Sequence, residues 1–249
     1  MKHAEKIVVV TGGSQGIGLA IAERYADEGA QVVVGSRHKP EDLLHKNIQF
    51  KTLDVTCEES VHNMFNSVKE QYGRVDALIN AAGVMKQASF LTTTLNDWEA
   101  TLRINLTGTF LTSQCAAHLM KERGGCIINI GSIEGEAANA AHTAYVSSKG
   151  GVHALTRAIA VDLGGYNIRC NTICPGWINT SLNQSYFEDD THQQKLNALK
   201  KLHPLGRLGE PADIAALACW LGSDDAQWVT GQSFTIDGGR TAKLPGIDC

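Results

Sequence analysis

Tyr145 and Lys149 are the residues best placed to do chemistry in this chain, because they are spaced four apart and Ser132 ends an apolar run just before them. On a helix, residues i and i+4 share a face, so the ammonium of Lys149 would approach the phenol of Tyr145. A free tyrosine has a pKa of about 10, whereas a proton donor and acceptor works best with a pKa near the working pH. A close, partly desolvated ammonium favours the phenolate, so we expect Lys149 to lower the pKa of Tyr145 toward neutrality.

A glycine-rich segment lies near the N-terminus. The β-branched run Ile7–Val10 is typical of a buried parallel strand, and it leads through Thr11–Gly18 into a helical pattern over Leu19–Ala26. Glycine lets the backbone approach a pyrophosphate, and the start of a helix offers free N–H groups and a positive dipole end. The spacing is Gly-x-x-x-Gly-x-Gly from Gly12, rather than the better-known Gly-x-Gly-x-x-Gly. Strand, glycine turn and helix start together predict a dinucleotide-binding site.

Strand-like apolar runs alternate with longer helical patterns along the chain. The predicted strands are 6–11, 31–36, 48–53, 75–80, 126–131, 168–173 and 233–237. The predicted helices lie near 17–28, 58–72, 98–122, 143–163 and 210–222. This alternation, with near-continuously apolar strands, predicts an α/β fold: a Rossmann-like, doubly wound parallel sheet of about seven strands with helices on both faces. The motifs follow strand ends, where the ligand crevice of such a sheet lies.

In this order the motifs resemble the short-chain dehydrogenase/reductase family, in its Tyr-x-x-x-Lys type, and the likeness covers nearly the whole chain. The matching segments are Thr11–Gly18, Asp54, Asn80–Gly83, Asn105, Ser132, Tyr145, Lys149 and Pro175–Gly176 with Thr180. By that resemblance the catalytic residues are Asn105, Ser132, Tyr145 and Lys149. It implies cofactor contacts from Gly12, Ser14, Gln15, Gly16, Ile17, Gly18, Ser36, Arg37, Asp54, Val55, Asn80, Ala81, Gly83, Tyr145, Lys149, Pro175, Gly176, Ile178 and Thr180.

The resemblance also implies the reaction, a reversible hydride transfer between a nicotinamide cofactor and a carbonyl or secondary alcohol. Tyr145 would exchange the proton with the substrate oxygen, and Lys149 would lower the phenol pKa and hold the nicotinamide ribose. Ser132 would hydrogen-bond the same oxygen and stabilise developing negative charge. Asn105 would hold a water that links Lys149 to solvent.

The end of the second predicted strand bears on the choice of cofactor. Ser36 lies where an NAD enzyme carries Asp or Glu for the ribose 2′-hydroxyl, about 18 residues past Gly18. Here the acid is missing and Arg37 follows, whose forked guanidinium suits a 2′-phosphate. The glycine loop carries Gln15 where many NADP-preferring relatives carry a second basic residue. We therefore expect NADP as the cofactor, with NAD as the alternative.

Several residues match positions that line the substrate pocket in relatives: Ser132, Glu134, His142, Tyr145 and Trp177. The carboxylate and imidazole could bind hydroxyls and the indole could stack on a ring face, which would suit a sugar, a polyol or a hydroxylated cyclic ketone. The polar segment 177–203 follows the nicotinamide loop, and closure over a substrate excludes water. We expect this segment to be a substrate lid within a single domain of residues 1–249.

Two other functions remain open. One is a 3-oxoacyl-carrier-type reductase, which would need a basic patch for an acidic carrier, and the nearby candidates are Lys200, Lys201 and Arg207. The other is a non-catalytic nucleotide-sensing or scaffold protein on the same fold. The intact serine, tyrosine and lysine set argues against that second function, because a sensor has no need of a proton relay.

Composition and charge narrow the class further. The net charge is −4 and the pI about 6.1, without a long basic run, so we expect neither nucleic acid nor an anionic membrane as a partner. No apolar stretch approaches the roughly 18 residues that span a bilayer, and the start lacks the apolar core of a signal peptide, so we expect a cytoplasmic protein. The seven cysteines form no Cys-x-x-Cys pair and the nine histidines show no metal-ligand spacing, so we expect reduced thiols and no metal.

Small residues on two of the predicted helices would allow close packing with another copy of the chain. They are Ala116, Ala117, Gly150, Gly151, Ala154 and Ala158. Relatives pair these helices across a two-fold axis, so we expect a homotetramer that acts on a small molecule.

Overall fold

The structure is a computed structural model that describes residues 2–40, 45–184 and 192–244. Within these residues, seven strands form one parallel sheet in the order β3-β2-β1-β4-β5-β6-β7. The strands are β1 (Ile7–Thr11), β2 (Gln31–Ser36), β3 (Ile48–Thr52), β4 (Ala77–Asn80), β5 (Gly125–Ile130), β6 (Ile168–Pro175) and β7 (Ser233–Ile236). The predicted Rossmann-like α/β fold is confirmed.

The strand order reverses at β1, which pairs with β2 on one side and β4 on the other. Ligand crevices of doubly wound sheets open at the carboxyl ends of the strands at such a switch point. The glycine-rich segment follows β1 and the Ala81–Gly83 segment follows β4, so both motifs border this crevice. The topology therefore brings together groups that are far apart in the sequence.

Eight helices are described around the sheet. They are α1 (Gly16–Asp27), α2 (Glu58–Tyr72), α3 (Leu95–Leu102), α4 (Gly108–Met120), α5 (Thr143–Leu163), α6 (Ser181–Gln184), α7 (His192–Leu202) and α8 (Pro211–Leu221). A π-helical turn, Arg103–Thr107, joins α3 to α4. Short 3-10 turns occur at Ile133–Gly135, Gly164–Tyr166 and Asp224–Ala226.

Side chains that alternate along the strands build one hydrophobic layer on each face of the sheet. Val8 and Val10 pack with the cluster that contains α1 and α8 residues, whereas Val9 packs with the opposite cluster, which includes residues of α2, α4 and α5. Successive side chains of a strand point to opposite faces, so a continuous valine run fills both layers. This is why the strands read as uninterrupted apolar runs in the sequence.

The predicted helix 98–122 differs from the observed structure. The helix begins earlier, at Leu95, because Thr94 caps it: the Thr94 hydroxyl accepts a hydrogen bond from the Asp97 amide at 3.1 Å. It is then interrupted by the π-helical turn, which separates α3 from α4. A π turn inserts one residue into an otherwise regular helix, and hydrophobic periodicity alone does not reveal it.

Part of the predicted lid lies within the described residues. Helices α6 and α7 lie within this segment, while residues 185–191 lie outside the described residues. In the part of the chain that the structure covers, no helix has the length and apolar character needed to cross a bilayer.

Candidate active site

A cleft of about 630 Å³ opens at the carboxyl ends of the strands. Most of the predicted site residues line it: Gly12, Ser14, Gln15, Gly16, Ile17, Gly18, Ser36, Arg37, Asp54, Val55, Ala81, Gly83, Ser132, Glu134, Tyr145, Lys149, Pro175, Gly176, Trp177, Ile178 and Thr180. Three predicted residues do not line it: Asn80, Asn105 and His142. The fold therefore gathers the glycine loop, the acid–base residues and the nicotinamide loop around one space.

The glycine loop has the backbone that a phosphate-binding turn requires. Gly12 has a φ of +66°, and a Cβ at this position would lie 2.6 Å from the backbone of Ala82, so only glycine fits. Helix α1 starts at Gly16 with Gln15 as its N-cap, and among the described residues the Gln15 side chain makes no capping hydrogen bond. The first N–H groups of α1 and its positive dipole end thus face the cleft without a side-chain cap, which fits the pyrophosphate of a dinucleotide.

The far end of the cleft carries hydroxyls, a carboxylate and a guanidinium. Ser14 Oγ of the glycine loop lies 2.9 Å from Ser36 Oγ at the end of β2, and the exposed Arg37 follows. Asp54 Oδ1 accepts hydrogen bonds from the amide and hydroxyl of Thr56 at 2.9 and 2.7 Å. These bonds, helped by the charge of Arg37, hold the pKa of Asp54 below its ordinary value, so this carboxylate is an acceptor at neutral pH.

Asn80, the last residue of β4, does not line the cleft, and its predicted cofactor contact stays a prediction. Its side chain donates to Ser113 Oγ at 2.9 Å and to Asn129 Oδ1 at 2.8 Å, and accepts from Thr112 Oγ1 at 2.7 Å. The residue is buried, and these bonds tie β4 to β5 and α4. Its role is to hold the strand end that carries Ala81–Gly83, because a buried amide must be satisfied where it lies.

Ser132, Tyr145 and Lys149 come together at the centre of the cleft. The Glu134 amide donates to Ser132 Oγ at 3.1 Å, and the Ser132 side chain is close enough to Tyr145 to act on the pKa of the phenol. Lys149 donates from Nζ to the Ile130 carbonyl at 2.7 Å, and its Nζ lies 5.6 Å from the centroid of the Tyr145 ring. The backbone at the end of β5 thus orients the lysine, and the turn that follows β5 orients the serine.

The ionisation of the pair differs from our prediction. Burial raises the pKa of Tyr145 to about 12, although the hydrogen bond with Ser132 opposes this rise. Burial also lowers the pKa of Lys149 to about 8. The ammonium sits over the ring while its bond goes to a backbone carbonyl, so in this state desolvation decides the pKa of the phenol. Tyr145 is therefore protonated near neutrality and ready to donate to a carbonyl oxygen.

Asn105 lies in the π-helical turn and acts behind the cleft wall. Its Oδ1 accepts from the Val84 amide at 2.9 Å, and its Nδ2 donates to the Val84 carbonyl at 2.9 Å and to Ser148 Oγ at 3.0 Å. These bonds join the segment after β4 to α5. Single π turns within α-helices are frequent at functional sites. The predicted water between Asn105 and Lys149 stays a prediction.

Glu134 and His142 bind each other rather than standing as two separate groups. His142 Nδ1 lies 2.8 Å from Glu134 Oε2, and Asn139 Nδ2 donates to the other carboxylate oxygen at 2.8 Å. Burial favours the protonated carboxyl, but the bonds from His142 and Asn139 outweigh it and lower the pKa of Glu134. Arg240 donates to Asn139 Oδ1 at 3.1 Å and lines the cleft, so a connected polar wall borders the substrate end.

Of the three arginines that line the cleft, the sequence indicated Arg37 but neither Arg103 nor Arg240. Arg103 donates from Nε and Nη2 to the Thr56 carbonyl at 3.2 and 3.0 Å, and Arg240 borders the substrate end. In the sequence, Arg240 comes directly after two glycines that follow the last strand. These glycines are the one signal that could have indicated a residue near the end of a strand.

One cluster outside the cleft could not be predicted from spacing. His3, Glu28 and Cys219 bring potential ligand atoms within 4.8 Å of one another. Two atoms of these groups have protein partners: His3 Nε2 lies 3.0 Å from the Cys219 carbonyl, and Arg24 donates to Glu28 Oε1 at 2.6 Å. Among the described residues, His3 Nδ1 and Glu28 Oε2 have no hydrogen-bond partner. The negative charge of Glu28 in this cluster is balanced by the guanidinium of Arg24.

Comparison with known proteins agrees with this geometry. A family model described as enoyl-(acyl carrier protein) reductase matches residues 12–241. An uncharacterized oxidoreductase of Thermotoga maritima is 39% identical over 259 residues, covering 96% of this chain and 97% of the relative. The chain belongs to the short-chain dehydrogenase/reductase family. It is accordingly an NAD(P)-dependent oxidoreductase.

Other members of the family that resemble this chain have named substrates. The NADP-dependent (R)-specific alcohol dehydrogenase of Lentilactobacillus kefiri is 36% identical, covering 96% of this chain and 97% of the relative. The D-threitol dehydrogenase of Mycolicibacterium smegmatis is 37% identical, covering 96% and 94%. The ligand-free structure of Thermoplasma acidophilum aldohexose dehydrogenase superimposes with a TM-score of 0.92 at 31% identity, covering 99% of this chain and 98% of that one.

Proposed function

We propose that this short-chain dehydrogenase/reductase is an NADP-dependent enzyme that interconverts a secondary alcohol and a carbonyl on a small polyhydroxylated molecule, such as a polyol or a sugar. The observation that carries the proposal is the Ser132–Tyr145–Lys149 set at the centre of a cleft whose other end is a phosphate-binding glycine loop. The bound nicotinamide supplies or accepts the hydride. All other steps belong to residues of the chain.

Ser132, Tyr145 and Lys149 have different roles in proton exchange with the substrate oxygen. The protonated phenol of Tyr145 donates to the carbonyl oxygen during reduction and takes the proton back during oxidation. The Ser132 hydroxyl, held by the Glu134 amide, hydrogen-bonds the same oxygen and stabilises the negative charge that develops there. Lys149 places a positive charge beside the phenol, and this favours the proton leaving Tyr145 during the reaction.

The substrate class is supported by the polar wall and by relatives. Glu134 and Arg240 line the cleft and are linked through Asn139, and the buried Trp177 borders the same space. Such a wall can hold several hydroxyl groups, with the indole as an apolar face. The relatives named for D-threitol and aldohexose act on molecules of this kind.

A panel of polyols and sugars, assayed with NADP⁺ by nicotinamide absorbance, tests the proposal. Turnover of monofunctional alcohols alone would refute the substrate class.

The choice of NADP rests on the end of β2. Ser14 and Ser36 put two hydroxyls side by side, Arg37 adds a guanidinium, and an acid that would repel a 2′-phosphate is missing from the end of the strand. The similar Lentilactobacillus enzyme is named as NADP-dependent. NAD is the alternative, and it would use the Ser36 hydroxyl in place of a carboxylate.

Replacing Arg37 with alanine is expected to weaken NADPH binding by about ten- to a hundredfold, since a charge-assisted bond to phosphate contributes about 1.5–3 kcal/mol. NADH binding should change little, because NADH lacks the 2′-phosphate. Fluorescence titration of both nucleotides at fixed salt measures this, with Arg123→Ala as control, since Arg123 is also exposed but does not line the cleft. Equal losses for both nucleotides would contradict the assignment.

The 3-oxoacyl-carrier alternative has limited support from surface charge. Arg207 is engaged by Asp213 through two bonds of 2.6 and 3.0 Å, which leaves Lys200 and Lys201 as the basic candidates. A basic patch for an acidic carrier is therefore small on this side. Comparing a carrier-bound 3-oxoacyl thioester with free polyhydroxylated ketones discriminates the two functions: preference for the thioester would favour the alternative. Binding of NADPH without turnover of any substrate would favour the scaffold function.

We further propose that residues 1–249 form a single domain in which residues 177–203 are the substrate lid.

We also propose a homotetramer. Phe110 of α4 and Val161 of α5 are exposed apolar side chains that could contact another copy, and 81% of Val161 is accessible. The described cysteines are all unpaired, in keeping with a cytoplasmic enzyme. Light scattering at micromolar concentration is expected to give the mass of a tetramer, and a monomer would refute this part of the proposal.

A further inference from the structure

His153 lies behind the catalytic residues and is not used by the reaction described above. It follows Tyr145 and Lys149 on α5 at the same spacing of four residues, so all three share one helix face. The side chain is 3% exposed. The buried imidazole must therefore pack against the elements that form the centre of the cleft.

The ring packs against the two glycines that flank the turn of Ser132. A Cβ on Gly131 would lie 2.6 Å from His153 Nε2, and a Cβ on Gly135 would overlap the Cε1 atom of the ring. The absence of side chains at these two positions is what lets the imidazole contact the backbone on both sides of Ser132. The position of the serine hydroxyl is thus coupled to the position of this ring.

The ring also contacts the end of β6. His153 Nε2 lies 3.3 Å from Cys174 Sγ, and Cys174 directly precedes Pro175 and Gly176 of the cleft. Burial raises the pKa of the Cys174 thiol to about 12, so this sulfur is a neutral thiol and no nucleophile at physiological pH. The contact is a hydrogen bond between neutral groups that joins α5 to β6.

We propose that His153 is a positioning residue of the active site: its neutral ring holds the ends of β5 and β6 against α5, and so aligns the Ser132 hydroxyl and the Pro175–Gly176 segment with Tyr145. This inference rests on the proposed function, because it assigns a role within the same reaction. One imidazole supports three elements, and a displacement of about 1 Å at a reacting group can cost about a hundredfold in rate.

The surroundings of the ring indicate how pH acts on it. The charged or titratable groups that face it are Glu136 after β5, Lys149 and Arg157 on α5, and Cys174 on β6. Burial lowers the pKa of His153, and the charges of Lys149 and Arg157 act in the same direction, while Glu136 opposes them from 3.8 Å. The ring therefore stays neutral at physiological pH and becomes charged only in acid, where a cation beneath Ser132 would disturb the alignment.

His153→Leu, which keeps the bulk but removes the bond to Cys174, is expected to lower kcat by about ten- to a hundredfold. NADPH affinity should change by less than about threefold, because the glycine loop on β1 and α1 is untouched. His153→Gln retains a side-chain amide that can reach Cys174, so it should restore kcat to within about threefold and remove the fall in kcat toward acid pH. His62→Leu is the control, since His62 is exposed on α2 and does not line the cleft.

Cys174→Ala tests the same contact from the other side without a change in ring packing. It should lower kcat severalfold, and the double variant with His153→Leu should lose no more than the single His153→Leu enzyme. Additive losses, or equal kcat values for the wild type and the leucine and glutamine variants, would overturn the inference.

The emission of bound NADPH separates this inference from the proposed function. If the wild type binds NADPH but converts no polyol or sugar, the proposed function fails, while the role of His153 is still tested by fluorescence. The positioning role is supported if the nicotinamide emission changes in the leucine variant and is that of the wild type in the glutamine variant. Identical emission in all three proteins rejects the role.

Discussion

Replacing Tyr145 with phenylalanine is expected to lower kcat by about 10²–10⁴-fold in both directions, because the group that exchanges the proton with the substrate oxygen is then lost. The change removes one oxygen atom from a buried ring and leaves the packing of α5 intact, so the fold and NADPH binding should persist. Because the interaction with the transition state is lost, kcat and kcat/KM should fall together while KM changes little.

Steady-state rates with the best polyol or sugar, together with an NADPH titration, measure this effect. Tyr166→Phe is the matched control, since Tyr166 is 44% exposed at the end of α5 and does not line the cleft. It should leave kcat unchanged. A Tyr145→Phe enzyme that keeps more than about a tenth of the wild-type kcat would show that another group transfers the proton.

Replacing Gly12 with alanine is expected to abolish nucleotide binding and to destabilise the protein by about 2–5 kcal/mol. Two costs combine here. An alanine at a φ of +66° is strained by about 1–2 kcal/mol, and its Cβ would meet the backbone N and Cα of Ala82 at 2.6 Å. Because backbone atoms of the segment after β4 cannot turn aside as a flexible side chain could, relief of the clash must move the wall of the cleft itself.

Gly73→Ala isolates the conformational part of that cost. Gly73 ends α2 with a φ of +72°, and a Cβ there would meet nothing within 4 Å. Its alanine variant should lose only about 1 kcal/mol of stability and should bind NADPH as the wild type does. Urea unfolding and nucleotide titration compare the two variants. Equal effects at both positions would mean that close approach to Ala82 does not matter.

The sequence predicted the sheet well because buried parallel strands leave a simple signal. Runs such as Val8–Val10 fill both faces of the sheet and cannot be mistaken for an amphipathic helix. The glycine spacing also indicated a tight turn directly. The structure agrees, because Gly12 has a positive φ and a close backbone contact that exclude other residues. Both signals are local, and each depends on a few neighbouring residues.

What the sequence could not predict depends on contacts between distant segments. Asn80 ends an apolar strand close to the predicted cofactor residues, but its side-chain amide is bonded to partners on β5 and α4. Glu134 and His142 were predicted to bind hydroxyls, and the sequence did not indicate that they also contact each other. The pKa of Tyr145 depends on how far burial outweighs a nearby ammonium, and this balance is set by three-dimensional packing.

The roles proposed for Ser132, Tyr145 and Lys149 all require that a hydride passes directly between a hydroxylated carbon and a nicotinamide. This transfer can be followed with NADP⁺ and a polyol or sugar that is deuterated at the carbinol carbon, by mass measurement of the reduced nucleotide. We expect the wild type to yield reduced nucleotide that carries the deuterium, and Tyr145→Phe to yield almost none in the same time. Reduced nucleotide without deuterium, or tight nucleotide binding without any reduced product from the whole panel, would show that no direct transfer takes place.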